Sequence, residues 1–537
     1  MSYKKKTEEF PGSDIVIFIY LCVILGFFPL HYKYQYIDMG EAKYSIFSKS
    51  TLVCILFLLI MIMIEILLKV KEEGIAKWKE TIKWNVSILD IGVLAYFICT
   101  TISFLASSFK EEILWGSVGW NMGYVSQFLL VGVYFIVSRK GKFRELYLWI
   151  LMFSSAVAFL AAILQRFDVD MLGVYGNLTL YYKIQFLSTM GQSSWYSSFL
   201  CTVFPVGLYI FFSTQRKKLR IASGVYSVLA MCSLVTQNTD SAFLSLIGVL
   251  VILFYLSFDG EKERIRFYEV LLLTFGSFTL IGIVQRIFAD YMIPLDSLSI
   301  FMSQGFLSPC ICLVSVVAYF LSKKTNRYFL FQVKGKDGKT GPSRFPFWIL
   351  MGIVAIGGSL ILLFIILNTN GFLDSQFGYQ STNNYLLFND EWGNRRGFAW
   401  RYSCEMFAEM PFLQKLIGVG PDAYSFYAKS IPDCAEKMNA FWGDTILTNS
   451  HNEYLTKLVN VGILGLFSYL FMLGSAIYLF LKNRKENSIL PAFALCTVSY
   501  MAHNIFCYEQ VCCSPFFYIL MGFGGKLICK NLSYKKR

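Results

Sequence analysis

Charge is scarce in this chain. Only 15% of its 537 residues are Asp, Glu, Lys or Arg, while 56% are hydrophobic; a soluble domain of ordinary composition carries about 25% charged residues. The shortage excludes a string of soluble domains, and the apolar excess excludes a disordered or collagen-like chain. Histidine is nearly missing, at three residues, and no Cys-x-x-Cys pair or His/Cys cluster shows the spacing of a structural zinc site. Fourteen cysteines are present, but most fall inside apolar runs, where Cys behaves as a small hydrophobe. Cys404 and Cys434 alone share a long polar segment, where an oxidising compartment would permit a bond.

Long apolar runs are what the sequence has in abundance. A helix needs about 20 mostly apolar residues to cross the roughly 30 Å hydrocarbon layer. Fourteen stretches meet or approach that length, at 14–30, 50–68, 86–107, 121–138, 146–165, 191–212, 220–237, 241–257, 268–288, 300–321, 347–368, 453–481, 489–507 and 511–529. If the pair at 220–257 fails to cross, twelve remain and the polarity downstream is unchanged. The expected fold is all-α: a polytopic membrane helix bundle of 12–14 spans with one large, partly helical extracytoplasmic loop. Residues 1–368 hold the first eleven spans, 369–452 the loop, and 453–537 the last three spans and a tail. The first span lacks a small-residue cleavage site and reads as a retained helix.

The net charge of +13 comes from 48 basic and 35 acidic residues. With the amino terminus inside, 34 of the 48 basic residues fall on the inner side, including Lys4 to Lys6, Arg216 to Lys218 and the 323–344 connection. Cytoplasmic connections retain Lys and Arg, so the positive excess is an orientation signal rather than a nucleic-acid surface. It places both termini in the cytoplasm and the long loop outside a cytoplasmic, inner membrane. Trp115 with Trp120, and Tyr181 with Tyr182, read as interfacial anchors in outer loops.

The 369–452 segment differs from its surroundings. It holds nine acids, Asp444 among them, against six bases, and its aromatic density argues against disorder. Arg396 to Met410 has helix-forming composition, with Arg396, Arg401, Glu405 and Glu409 on or near one face; an ion-paired solvated face explains that pattern as well as a site does. Gly418-Val419-Gly420-Pro421-Asp422 allows a tight turn but is no dinucleotide fingerprint, since no strand precedes it. Ser450 and Glu453 form a capping-box pattern, which predicts a membrane helix beginning at His451. At that position the helix dipole favours an anion and keeps an imidazole neutral; a helix start that merely contains His is the alternative. His503, with Asn504, is expected at membrane depth, where an ionisable group is a functional candidate or a hydrogen-bond partner of a neighbouring helix. Arg166 and Arg286 both end spans on the outer side, so each needs a partner or a ligand.

Taken together, these elements resemble the O-antigen ligase and polymerase superfamily of polytopic bacterial glycosyltransferases. The likeness is carried by Arg396-Gly397-Phe398-Ala399-Trp400, by Gly418 to Asp422, and by His451-Asn452-Glu453-Tyr454-Leu455 entering a helix with Gly462 and Gly465. Fainter echoes lie at Gly116 to Gly123, Gln165 to Phe167 and Gly191 to Pro205. The chain departs from the family pattern at Trp120-Asn121 and at Asp240-Ser241-Ala242, where many members carry Arg. The resemblance implies glycan transfer from a polyisoprenyl (undecaprenyl) diphosphate donor to a glycan, lipid or wall-polymer acceptor at the outer membrane face. It implies His451 as base and Arg396 on the diphosphate, with Arg401, Arg166, Arg286, Asn452 and His503 in support. No cofactor and no metal is implied. A lipid-linked oligosaccharide flippase is the alternative, but it should show two related halves, and the sequence has no internal repeat.

Overall fold

The computed structural model describes residues 11–33, 35–73, 85–176, 178–325, 332–334, 340–443 and 447–535. Lys4 to Lys6, part of the 323–344 connection and Asp444 lie outside the described residues.

A helix stands at each of the fourteen apolar runs. In chain order they are α1 (Pro11–Cys22, continuing through a π turn to Leu30), α2 (Met39–Glu73), α3 (Ile88–Ala106), α4 (Tyr124–Phe135, ending in a π turn at Ile136–Lys140), α5 (Glu145–Gln165), α6 (Ser193–Ser213) and α7 (Lys217–Thr236). The second half holds α8 (Ser241–Ser257), α9 (Glu261–Ile287), α10 (Leu307–Thr325), α11 (Phe345–Thr369), α12 (Glu453–Lys482), α13 (Leu490–His503) and α14 (Ser514–Lys535). Ten of the described helices are long and apolar enough to cross a membrane, and α8, α13 and α14 are shorter apolar helices. The protein is an all-α polytopic membrane bundle.

Burial sorts the helices. The Ser193–Ser213 helix α6 is the most enclosed of the long helices, and α11 lies wholly at the periphery with its apolar side chains open. Apolar side chains facing outward on α2, α10 and α11, such as Leu56, Val317 and Leu362, are what a lipid-facing surface requires. Strand structure among the described residues is confined to two short hairpins, Phe186–Leu187 with Gly191–Gln192 and Gln332–Lys334 with Thr340–Pro342.

The long loop has its own core. It holds short helices Phe372–Phe377, Trp392–Glu409, Phe412–Ile417, Tyr424–Ser430 and Pro432–Trp442, and the second, fourth and fifth of these build a cluster of Phe398, Tyr402, Met406, Tyr424 and Met438 that closes onto Val459 of α12. Cys404 and Cys434 are both free thiols, the first exposed and the second buried in this cluster.

What fastens the loop to the bundle is an interruption in α12. Gly462 adopts φ 69°, outside the helical region, a conformation open to glycine at little steric penalty. The break frees carbonyls that an unbroken helix would use, and the Gly418-to-Asp422 turn supplies their donors: Val419 N–H reaches Val459 O at 3.2 Å and Gly420 N–H reaches Asn460 O at 2.8 Å. The glycine pair in that turn therefore serves close backbone approach, not a nucleotide.

Candidate functional site

The site forms where the loop meets the ends of α8, α12 and α13. The helix Trp392–Glu409 begins with three left-handed residues, Gly393, Asn394 and Arg395, and becomes regular from Arg396 onward. This hooked start turns Arg396 inward, toward the α13–α14 connection. Its Nε donates to Phe506 O at 3.2 Å and its Nη1 to Gly393 O at 2.7 Å. No described carboxylate pairs with it, and Nη2 has no described partner. Burial lowers the guanidinium from its ordinary value, and Cys507, Asp240, Tyr508 and Tyr385 act against that shift. A charged guanidinium held by carbonyls, with a free fork arm, is poised for an anion.

His451 lies close enough for its imidazole to feel the Arg396 charge. Burial, then that charge, pushes its pKa down to about 3, so the ring is neutral at ordinary pH. Its ring meets Tyr508 edge-on at 5.2 Å, and among the described residues the imidazole has no hydrogen-bond partner. The helix start differs from the capping-box expectation. Asn452, not Ser450, caps α12, its side chain accepting from Leu455 N–H at 3.0 Å. Ser450 instead spends its hydroxyl on Asn452 O at 2.7 Å, and Glu453 turns toward Lys457. Asn caps at least as well as Ser, so the later residue wins. His451 thus precedes the helix, with φ 52° and its N–H on Asn449 Oδ1 at 3.0 Å. Positive φ on a non-glycine residue is strained backbone of the kind that clusters at active sites.

His503 ends α13 fully buried, with Nε2 2.9 Å from Ser198 Oγ, which also accepts from Gln510 at 2.7 Å. It too feels the Arg396 charge. The site therefore gathers Arg396, His451, His503 and, as the helix cap, Asn452.

The other predicted arginines lie elsewhere. Arg401 points outward in a bidentate pair with Asp390 at 2.7 Å and a second pair with Glu405 at 3.0 Å. Arg396 and Arg401 do not share a face, because a spacing of five residues turns a helix by well over a quarter circle. Arg166 is buried and directs its guanidinium at the carbonyls of Thr236, Lys183, Ile184 and Gln237. Arg286 donates to Gln304 O.

Several neighbours escaped the sequence reading. Asp240, at the position where the family pattern departs, accepts from Tyr385 OH at 2.8 Å and lies within reach of the Arg396 charge; burial, then Asp296, raises its carboxyl. Trp120, read as an interfacial anchor, instead packs edge-on against Tyr508 at 5.1 Å and Trp195 at 5.2 Å. Lys457 bridges Glu509 at 2.5 Å and Glu453 at 3.2 Å, with Gln127 on the same Glu509 oxygen at 3.1 Å. A lysine inside an apolar run was the available signal for that cluster. Among the described residues, no group of three or more His, Cys, Asp or Glu could hold a metal ion.

Residues 295–470 match the family model described as O-Antigen ligase. The chain carries an O-antigen ligase domain. It takes in the whole long loop, Arg396, Arg401, His451 and Asn452, while Arg166, Arg286 and His503 lie outside the matched segment. No curated protein matches the chain. The O-antigen ligase domain makes this a glycosyltransferase-like membrane enzyme acting on glycans.

Proposed function

We propose that the chain transfers a glycan from a polyisoprenyl (undecaprenyl) diphosphate donor onto an acceptor hydroxyl at the outer face of the cytoplasmic membrane. The observation that carries this reading is the nearness of a neutral His451 to Arg396, where among the described residues the imidazole has no hydrogen-bond partner and the guanidinium no carboxylate partner. The diphosphate is already a good leaving group, so the protein has to align the acceptor, take its proton and offset charge on the departing oxygen. His451 takes the proton as the acceptor oxygen bonds to the anomeric carbon. The bond from that carbon to the diphosphate oxygen breaks, and Arg396 holds the released diphosphate. His503 and Asn452 keep the walls in place. The basic residues on the face opposite the loop orient the loop outward, where lipid-linked glycans are assembled into surface polymer. Replacement of His451 by Ala in the native host tests the reading: lipid-linked glycan should accumulate and polymer should be lost. Normal polymer with the variant protein present in the membrane overturns it.

A further inference from the structure

A cavity of about 40 Å³ adjoins the His451–Tyr508 contact and takes no part in the chemistry above. Trp120 and Tyr508 form an aromatic wall, and Asp422, Lys457, Asn460 and Glu509 supply polar ones. Two of these groups lack what burial demands. Asn460 is 6% exposed and Glu509 8% exposed, yet the Asn460 side-chain oxygen and one Glu509 oxygen have no hydrogen-bond partner among the described residues. Buried acceptors are satisfied in folded proteins, so these two call for a guest that donates hydrogen bonds. Hydroxyl groups beside an aromatic face are the chemistry of a sugar ring. The volume holds about three waters, which suits the hydroxyl-bearing edge of one ring.

Charge narrows the guest further. Glu453 and Glu509 face a single ammonium, that of Lys457. Asp422 adds a third carboxyl, which burial pushes up to about 7 against the Ser117 and Met122 N–H donors that lower it. Carboxyls thus outnumber the one ammonium, which two of them already share, so an acidic sugar would find no unpaired cation among these lining residues.

Position decides which sugar. The groups that bear on Arg396 are Cys507, Asp240, Tyr508 and Tyr385, whereas Asp422 responds to Lys457 and Glu509. Tyr508 lines the cavity and touches the His451 ring, and His451 in turn feels the Arg396 charge, so these two residues link the clusters. Direct displacement at an anomeric carbon brings the nucleophile in on the face away from the leaving group. With the diphosphate on Arg396, the far side belongs to the acceptor. We propose that this cavity is the acceptor subsite, binding the hydroxyl-bearing edge of an uncharged sugar and turning acidic sugars away. The acceptor assignment rests on the roles of His451 and Arg396 proposed above; the sugar site itself does not.

Equilibrium dialysis of the purified full chain tests both parts separately. The probes are radiolabelled methyl glycosides of a neutral hexose and of a hexuronic acid and, in a parallel series, farnesyl diphosphate. The hexoside should bind saturably and the uronide about tenfold more weakly, and Asn460→Ala and Trp120→Leu should each weaken the hexoside about tenfold while retaining farnesyl diphosphate, which also reports that they are folded. Arg396→Ala should show the reverse pattern. Absence of saturable hexoside binding to the wild type, equal binding of the uronide, or an unchanged hexoside affinity in both variants overturns the proposal. If the hexoside results hold but farnesyl diphosphate fails to bind the wild type, the diphosphate role of Arg396 falls and the sugar site stands.

Discussion

Gly418 and Gly462 meet backbone to backbone, both at positive φ. A methyl group on Gly462 would run into the Leu416 carbonyl and the Gly418 nitrogen, and one on Gly418 into the Asn460 carbonyl. This crossing holds the long loop against the broken membrane helix. Gly462→Ala should therefore lower the thermal midpoint and folded yield sharply, through left-handed strain of about 1–2 kcal/mol plus the collision. Gly474→Ala, on the same helix with nothing near the added carbon, should be neutral or slightly stabilising. Equal behaviour of the two in a detergent melting series would refute the crossing as the anchor.

His451→Ala should reduce transfer by about 10²–10⁴-fold, the usual share of a general base, with donor affinity retained. A pKa of about 3 also sets the acid side of the rate profile. The base works while neutral, above its pKa, so no loss attributable to His451 should begin near 6.5 as pH falls. An acid limb centred near 6.5 that vanishes in the variant would contradict the half-buried, cation-facing imidazole.

Arg396 and Arg401 offer a paired comparison on one helix. Arg396→Ala should cost about 10²–10³-fold in transfer, as loss of a charge-stabilising donor does, and Arg396→Lys should recover little because an ammonium lacks the fork. Arg401→Ala removes two exposed ion pairs, each worth about 1 kcal/mol or less, and transfer should stay within about twofold. The check is the rate with extracted lipid-linked glycan in proteoliposomes.

Asp422 gives a stability prediction with a definite sign. Its carboxyl sits at about 7 in the folded chain against 3.8 unfolded, so folding binds a proton between those values and stability falls as pH rises from about 4 to 7. Asp422→Asn removes that titration. The wild-type melting midpoint should drop more than the variant's between pH 5 and pH 8, and parallel curves would rule out a raised carboxyl.

Arg166→Met should destabilise the fold by at least about 2 kcal/mol, because carbonyls of Thr236, Lys183, Ile184 and Gln237 lose their shared donor. Farnesyl diphosphate affinity of the surviving folded protein should be unchanged; a selective loss of that affinity would return Arg166 to the ligand site.

The fold was largely legible because span-length apolar runs admit one structure in lipid, and all fourteen became helices. The motifs around His451 and Arg396 stood out locally, and the structure brings the two residues together. The failures share a cause, since each depended on contacts distant in sequence. Nothing local to Trp120 reveals Tyr508 against it, nothing around Asp240 announces Tyr385, and the carbonyls that occupy Arg166 come from two other segments. The capping error at Ser450 was different in kind: two good cap residues stood two positions apart, and the competition was decided by what else Ser450 and Glu453 could bond.

The interruption at Gly462 also limits how the molecule can be divided. Val459 and Asn460, near the start of α12, offer their carbonyls to Val419 and Gly420. A truncated chain without the loop would not be a smaller membrane domain with one function removed. It would leave the Val459 carbonyl without its donor and the Asn460 carbonyl with the Ser103 hydroxyl alone, and a buried unpaired carbonyl is disfavoured by about 1–3 kcal/mol. The long loop is thus a piece of the membrane domain's own hydrogen bonding, and swapping it between related proteins should succeed only when the first turns of α12 travel with it.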